Sequence, residues 1–452
     1  MLSGGNLPQN TLEILALAAV PQFVERASFA VAEGGQIPPD QLAGVDPGFR
    51  AVLAFRETGG WNLFVSTAAP WGDGSIFLQV MSWDDVAGIF RFFERRQGSW
   101  FLAGDSNDAL ADAMRGQGPF DSHINGAMVL KELKAPWLHW HSMAQSIPDT
   151  HFPANWAVGG AQIAAMRRGA DELEKIVRQG IDRWTRVRTA RVEVAGNRIE
   201  QPRWFLRQLL TATSANIASA PEPFLGAADA KLHVPLNLFF DRDALLDVIG
   251  LEVDIEGPPV VTRDRYAAAV ARAGLRLQAG PFRQDGDAFF AWSVPERAFE
   301  DQNVLDHVLR QNWISPRVMA AFLMVDFTNP VESPARAALL DLMPTAPLDV
   351  AALEAQMIAA VPPAASPELH ANLALAEGVW QTTYAQAIAR YMARVQVRLD
   401  TDEGLDDILR LADSRRRSFR RRTLAEFDLT LPWTDTPKDA PLLSINPAAI
   451  VS

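Results

Sequence analysis

The segment that most constrains this chain is 49–104, where short apolar and aromatic runs of strand length are separated by Gly, Asp and Ser turn signals. A stretch patterned in this way is buried far more readily as strands than as helices, because helical periodicity is missing from it. Within it Phe55, Gly59, Gly60 and Trp61 are echoed by Phe93, Gly98 and Trp100. In each copy glycine marks the tip of a hairpin and tryptophan begins the return strand. Two copies fall short of a propeller or solenoid, which need more repeats to bury their faces. The expectation is a small antiparallel sheet of related hairpins.

Periodicity then changes. Ile163, Met166, Ala170, Leu173, Val177, Ile181 and Trp184 recur at three- and four-residue spacing and predict a long helix, with Arg167, Arg168, Arg178, Arg183 and Arg186 on its other face. Around Gly196-Asn197, the stretch 192–199 reads as a hairpin, 236–240 and 289–294 read as strands, and 204–210, 244–248 and 266–273 read as helices. Beyond Phe299 the pattern is helical, over 305–310, 317–325, 350–360, 379–399 and 404–419. Ser315-Pro316, Ser333-Pro334 and Ser366-Pro367 each place a capping side chain before a proline at the first helical position. The fold class is α+β: a β-rich part over 1–155 with antiparallel hairpins, a mixed part over 156–298 and a helical part over 299–452.

Composition removes several function classes. The chain has no cysteine, so disulfide frameworks, zinc ribbons, iron–sulfur clusters and thiol nucleophiles are excluded. A net charge of −12 argues against a general nucleic-acid binder. The apolar stretch 14–20 is short, follows no basic region and ends at Pro21, and no later run reaches membrane-spanning length. The expected location is cytoplasmic, with no membrane and no nucleic acid among the partners. Neither GxGxxG, P-loop, HExxH nor GxSxG spacing occurs.

The strongest chemical signal lies in 121–151. Of seven histidines, His123, His139, His141 and His151 fall there. His139-Trp140-His141 follows Pro136 in a β-compatible stretch, and on a strand both imidazoles point to one side, whereas on a helix they would diverge by about 200°. His123 is expected in the first turn of a short helix over 124–134, with Asp121 in the loop before it as a ligand or orienting group. His151 sits between Pro148 and Pro153, where it could close such a site. Imidazole ligands suit Fe, Cu or Zn. The leading expectation is thus a metal-dependent oxidoreductase with His123, His139, His141 and His151 as ligands, Asp121 and Arg115 in catalytic roles, Arg115 gripping an anionic group, and a small molecule as substrate. A non-catalytic ligand-binding or assembly protein with structural histidines, possible as a homo-oligomer, is the alternative from another class, and a haem protein with one axial histidine is a third.

Other features have plainer readings. Glu132 belongs to a charged face, the early tryptophans to hairpins and core, and His233, His307 and His370 to ordinary positions. The run 415–422, with six arginines in eight positions, resembles a phosphate patch but follows Asp402, Glu403, Asp406, Asp407 and Asp413, which favours pairing within the chain or between subunits.

Overall fold

In the computed structural model of the chain, residues 8–10, 13, 22–31, 50–67, 78–120, 123–128, 170–194, 196–218, 227–255, 257–279, 281–285, 292–422 and 432–452 are described. The fold is α+β, with the strands concentrated at the N-terminal end and the helices at the C-terminal end. It divides into two compact units. One comprises Met1–Trp184, Gln278–Arg283 and Glu426–Thr430, the other Thr185–Leu277, Gln284–Ala425 and Leu431–Ser452. No helix among the described residues is long and apolar enough to cross a membrane.

The first unit is built on a six-stranded antiparallel meander in the order β1 (Glu25–Val31), β2 (Arg50–Glu57), β3 (Gly60–Thr67), β4 (Leu78–Asp84), β5 (Ile89–Arg96) and β6 (Ser99–Asp105). The two hairpins expected from the repeat are β2–β3 and β5–β6. The first closes on Glu57↔Gly60 and the second on Arg96↔Ser99, with Trp61 and Trp100 entering the return strands. At the second tip Gln97 and Gly98 take φ values of 49° and 81°, the left-handed pair that matches the twist of the strands it joins. A short helix, α1 (Ser106–Leu110), follows β6, capped by Asp105 and Asp108 in a reciprocal box.

Between β4 and β5 the Asp84 carboxylate holds the turn. It accepts from the N–H groups of Val86 (3.1 Å) and Ala87 (3.0 Å) and from Arg91 Nε (2.8 Å). The Ala87 N–H and Arg91 hold this carboxyl below its ordinary value of 3.8. A group whose pKa is depressed by folding stabilises above its unfolded pKa and loses that contribution as pH falls through the depressed value. Asp84→Ala is therefore expected to lower stability by roughly 1 kcal/mol at neutral pH. In urea titrations that difference should fade in acid, below the ordinary carboxylate range.

The sheet is covered by α2 (Ala170–Val194), whose N-terminal portion belongs to this unit. Gly180 allows the approach, since a Cβ there would meet Met128 and Phe90. Arg183 lies over the Trp83 ring at 4.4 Å and donates to Asn62 and Asp85, and Trp184 Nε1 donates to the Asn125 carbonyl at 3.0 Å. One arginine from the expected polar face thus serves as a clamp on the sheet.

The second unit is mostly helical. Its elements are β7 (Arg198–Ile199), α3 (Pro202–Leu210), β8 (Ala215–Ala218), β9 (Lys231–His233), β10 (Val260–Thr262), α4 (Arg263–Ala273), β13 (Val294–Arg297), α5 (Phe299–Arg310), α6 (Pro316–Leu323), α7 (Pro334–Leu339), β14 (Leu348–Asp349), α8 (Leu353–Ala360), α9 (Pro367–Leu373), α10 (Trp380–Leu399) and α11 (Asp402–Arg420). The ribbon β11 (Arg276–Ala279) with β12 (Phe282–Asp285) spans the boundary between the two stretches of chain. Strand pairs β8–β13, β9–β10 and β7–β14 are all antiparallel. The core joins α3, α5, α6, α10 and α11 through residues such as Phe205, Val304, Phe322, Ile388 and Ile408.

All three Ser-Pro helix starts are present. Ser315, Ser333 and Ser366 accept from the N–H groups of Val318, Arg336 and Leu369. Two local expectations are corrected. The stretch 192–199 is not a hairpin: α2 runs to Val194, and β7 pairs with the distant β14. The run 236–240 is not a strand but begins with a 3₁₀ turn, Leu236–Leu238. A short apolar run of this kind has no period of its own, and here full burial of Leu238, Phe239 and Phe240 set its form.

Candidate functional site

Of the histidines expected to converge, His123 lies in the described residues, while His139, His141 and His151, together with Asp121 and Glu132, lie outside them. His123 does not open a helix; residues 124–127 form a turn and a bend, with Gly126 at φ 74° and its N–H donating to the His123 carbonyl. The imidazole stacks on Phe92 at 4.6 Å, and its Nδ1 donates to the Ala127 carbonyl at 3.0 Å. Because a carbonyl can only accept, that nitrogen carries the proton. Arg115 donates to the Leu110 carbonyl at 3.4 Å, five residues back along the chain.

Among the described residues no group of three or more His, Asp or Glu side chains could hold a metal ion. The expectation of a metal-dependent oxidoreductase is corrected accordingly. A metal needs side chains converging in space, and among the described residues His123 is committed to a ring stack and a carbonyl.

The charged side chains inside the second unit form a different kind of centre. Arg297, at the end of β13, pairs with Asp241 at 2.7 Å, with both side chains buried. The same guanidinium donates to the carbonyls of Gln208 (2.5 Å), Thr211 (3.2 Å) and Leu209 (3.5 Å), the last turn of α3. Asp301, in the first turn of α5, accepts from Thr213 N (2.7 Å), the Thr213 hydroxyl, Gln208 Nε2 (3.2 Å) and Ser214 N (3.4 Å). Burial pushes the Asp301 carboxyl up from its ordinary range, against the pull of Arg297 and these donors. Nearby, Asn237 donates to both Glu296 and Asp243. The centre ties α3, α5, β8 and β13 together.

The arginine run is part of the same architecture. Arg415 reaches Asn329 Oδ1 (2.5 Å), Arg416 the Ser293 carbonyl (3.4 Å) and Arg417 the carboxylate of Asp413 (3.2 Å) and the Ala440 carbonyl (2.8 Å). Arg420 bonds the Pro432 carbonyl (3.0 Å) and lies 3.7 Å over the Trp433 ring, Arg421 bonds the Lys438 carbonyl (2.6 Å), and Arg422 bonds the Ala212 carbonyl (2.7 Å) and Glu332 (2.6 Å). Arg417, Arg420 and Arg421 fasten the stretch 432–441 to the end of α11, while Arg415, Arg416 and Arg422 bind other parts of the unit. Pairing within the chain is what the structure has, but the acceptors are chiefly main-chain carbonyls. Of the acidic residues before the run, Asp406 and Asp407 pair instead with Arg272, Arg398 and Arg410.

Among the exposed large apolar side chains of the described residues, two are neighbours on β6. Phe101 is 54% exposed and Leu102 is 62% exposed. The strand is the last of the meander, so one side of it has no neighbour among the described strands. The two-residue turn makes Arg96↔Ser99 a hydrogen-bonded pair, and antiparallel alternation makes Glu94↔Phe101 the next one. Trp100 and Leu102, in the intervening pairs, therefore direct their N–H and C=O groups away from β5. Ala103 is an extra residue, a bulge between Leu102 and Gly104 that ends the regular edge. No main-chain hydrogen bond among the described residues meets the outward groups. The Trp100 indole donates to the Pro8 carbonyl at 2.8 Å. Nothing in the local pattern of 99–105 marks β6 as the last strand of the sheet, so the feature is not legible in the sequence.

No protein-family model matches the chain, and neither a curated protein nor a solved structure shows a significant similarity to it.

Proposed function

We propose that this chain is a non-catalytic assembly protein that receives an extended, apolar protein segment along β6. The observation that carries the reading is the pair of exposed side chains, Phe101 and Leu102, on a strand whose Trp100 and Leu102 main-chain groups point outward. Strand addition supplies hydrogen bonds to these outward groups, which no main-chain group among the described residues meets, and covers apolar surface in one step. The arginines and acids that would suggest chemistry elsewhere support the reading too, since their partners are internal.

The test is capture of a strand-forming probe. A fluorescein-labelled Val-Thr repeat peptide flanked by lysines, titrated with nanomolar to micromolar protein, is expected to give saturable anisotropy. Leu102→Lys, which sets a charge on the edge, is expected to weaken capture at least about tenfold, or 1.4 kcal/mol. Absence of capture, or capture that Leu102→Lys leaves unchanged, would overturn the proposal.

A further inference from the structure

We infer that the segment received by β6 is β6 of a second copy of this chain, paired antiparallel about a two-fold axis at Phe101. The inference rests on the strand-addition reading above and adds the partner and the register.

The register follows from which main-chain groups are offered. Trp100 and Leu102 point theirs outward, while Ser99, Phe101 and, beyond the bulge, Gly104 turn theirs toward β5. An antiparallel partner with the same edge satisfies both outward residues only if Trp100 of each copy exchanges hydrogen bonds with Leu102 of the other. Phe101 then lies directly opposite its own counterpart in a non-hydrogen-bonded pair. An axis at Leu102 would demand outward groups from Gly104, which the bulge has turned inward, and an axis at Trp100 would demand them from the turn residue Gly98. The bulge thus selects one register rather than merely blunting the edge.

The side chains agree with this register. On one face Phe101 meets Phe101, and on the other Trp100 meets Leu102 twice, so the exposed apolar groups cover one another. A symmetric contact of this kind is closed and stops at two copies. Its few residues make it smaller than a permanent dimer interface, so the dimer is expected to be weak and concentration-dependent.

The absence of cysteine makes the test clean. Phe101→Cys places the two sulfur-bearing residues about 4.5 Å apart between Cα atoms, within the range a disulfide spans. Leu102→Cys leaves them about 8 Å apart, two residues out of register and beyond that range. Both positions are exposed, so Leu102→Cys also measures collisional oxidation. With diamide as the oxidant, taking up the two electrons and two protons released as the S–S bond forms, Phe101→Cys is expected to give covalent dimer at least tenfold faster. Circular dichroism checks that both variants fold.

Equal or faster cross-linking through Leu102→Cys would overturn the register. Absence of cross-linking through Phe101→Cys, with wild-type protein monomeric in sedimentation at high concentration, would overturn the second copy as partner. If the strand peptide is still captured in that case, strand addition stands and only the partner is wrong. If peptide capture is lost as well, both readings fall.

Discussion

Arg297→Met is expected to destabilise the protein by about 3–5 kcal/mol, the cost of breaking a buried ion pair by removing one partner. The Arg297 guanidinium is fully buried and holds Asp241 at 2.7 Å. Methionine fills much of the volume but leaves the Asp241 carboxylate in the interior without its cation. It also leaves the carbonyls of Gln208, Leu209 and Thr211 without the donor that caps α3. Water cannot replace these donors cheaply at a site packed between α3, α5 and β13. The measurement is a urea titration followed by far-UV dichroism, with the shift read at the midpoint. The double variant Arg297→Met, Asp241→Leu is expected to recover part of the loss, since replacing both partners removes the unpaired charge. A single-variant loss under about 1 kcal/mol would show that Asp241 finds other partners.

Gly404→Ala is expected to cost about 2–4 kcal/mol, although alanine is ordinarily the better helix former by about 1 kcal/mol. Gly404 lies in the first turn of α11, where its N–H donates to the capping hydroxyl of Thr401 at 3.1 Å. A Cβ there would stand 2.2 Å from the Arg398 carbonyl oxygen and 2.7 Å from its carbon, at the end of α10. Both atoms are backbone, so no rotamer change relieves the contact; the two helices must move apart. That movement would disturb the ion pair of Arg398 with Asp407 and the packing of Leu399 and Leu405, both fully buried. Thermal unfolding of the variant should show a lower midpoint, and a midpoint at or above wild type would mean that the α10–α11 corner adjusts without cost.

The two substitutions point to a common property. The second unit is held by charged side chains acting on main-chain acceptors. Arg336, fully buried, is a further example: burial pushes its pKa down to about 10, and it caps α6 through the carbonyls of Leu323 and Val325. An arginine used in this way contributes geometry, because its planar fork fixes the direction of several carbonyls at once. The run 415–422 extends the device to the C-terminal segment, where Ile445 and Ala449 are buried and Asn329 both accepts from Arg415 and donates to the Ile445 carbonyl.

Where local chemistry decides structure, the sequence was sufficient. Ser315, Ser333 and Ser366 cap the helices they precede, because a side-chain oxygen, an unsatisfied N–H and a proline at the next position lie within one turn. Gly59, Gly60 and Gly98 mark the hairpin tips for the same reason, and the spacing of Leu173, Val177, Ile181 and Trp184 identifies the buried stripe of α2.

Tertiary structure decided everything that depends on residues far apart in the chain. The 236–240 run is curled rather than extended because its surroundings bury Asn237 through Phe240, and β7 pairs with β14 across some 150 residues, which no local signal foretells. His123 stacks on Phe92 because β5 brings that ring beneath it. Arg415 through Arg422 carry the same formal charge whether they face phosphate or the protein's own carbonyls, and only the fold brings Ser293, Asn329 and the C-terminal segment within reach. The 49–104 segment shows the division most clearly. Its strand-length apolar runs and glycine turn signals called for an antiparallel sheet of hairpins, but the meander order and the exposure of Phe101 and Leu102 on its last strand are properties of the sheet and not of the strand's residues.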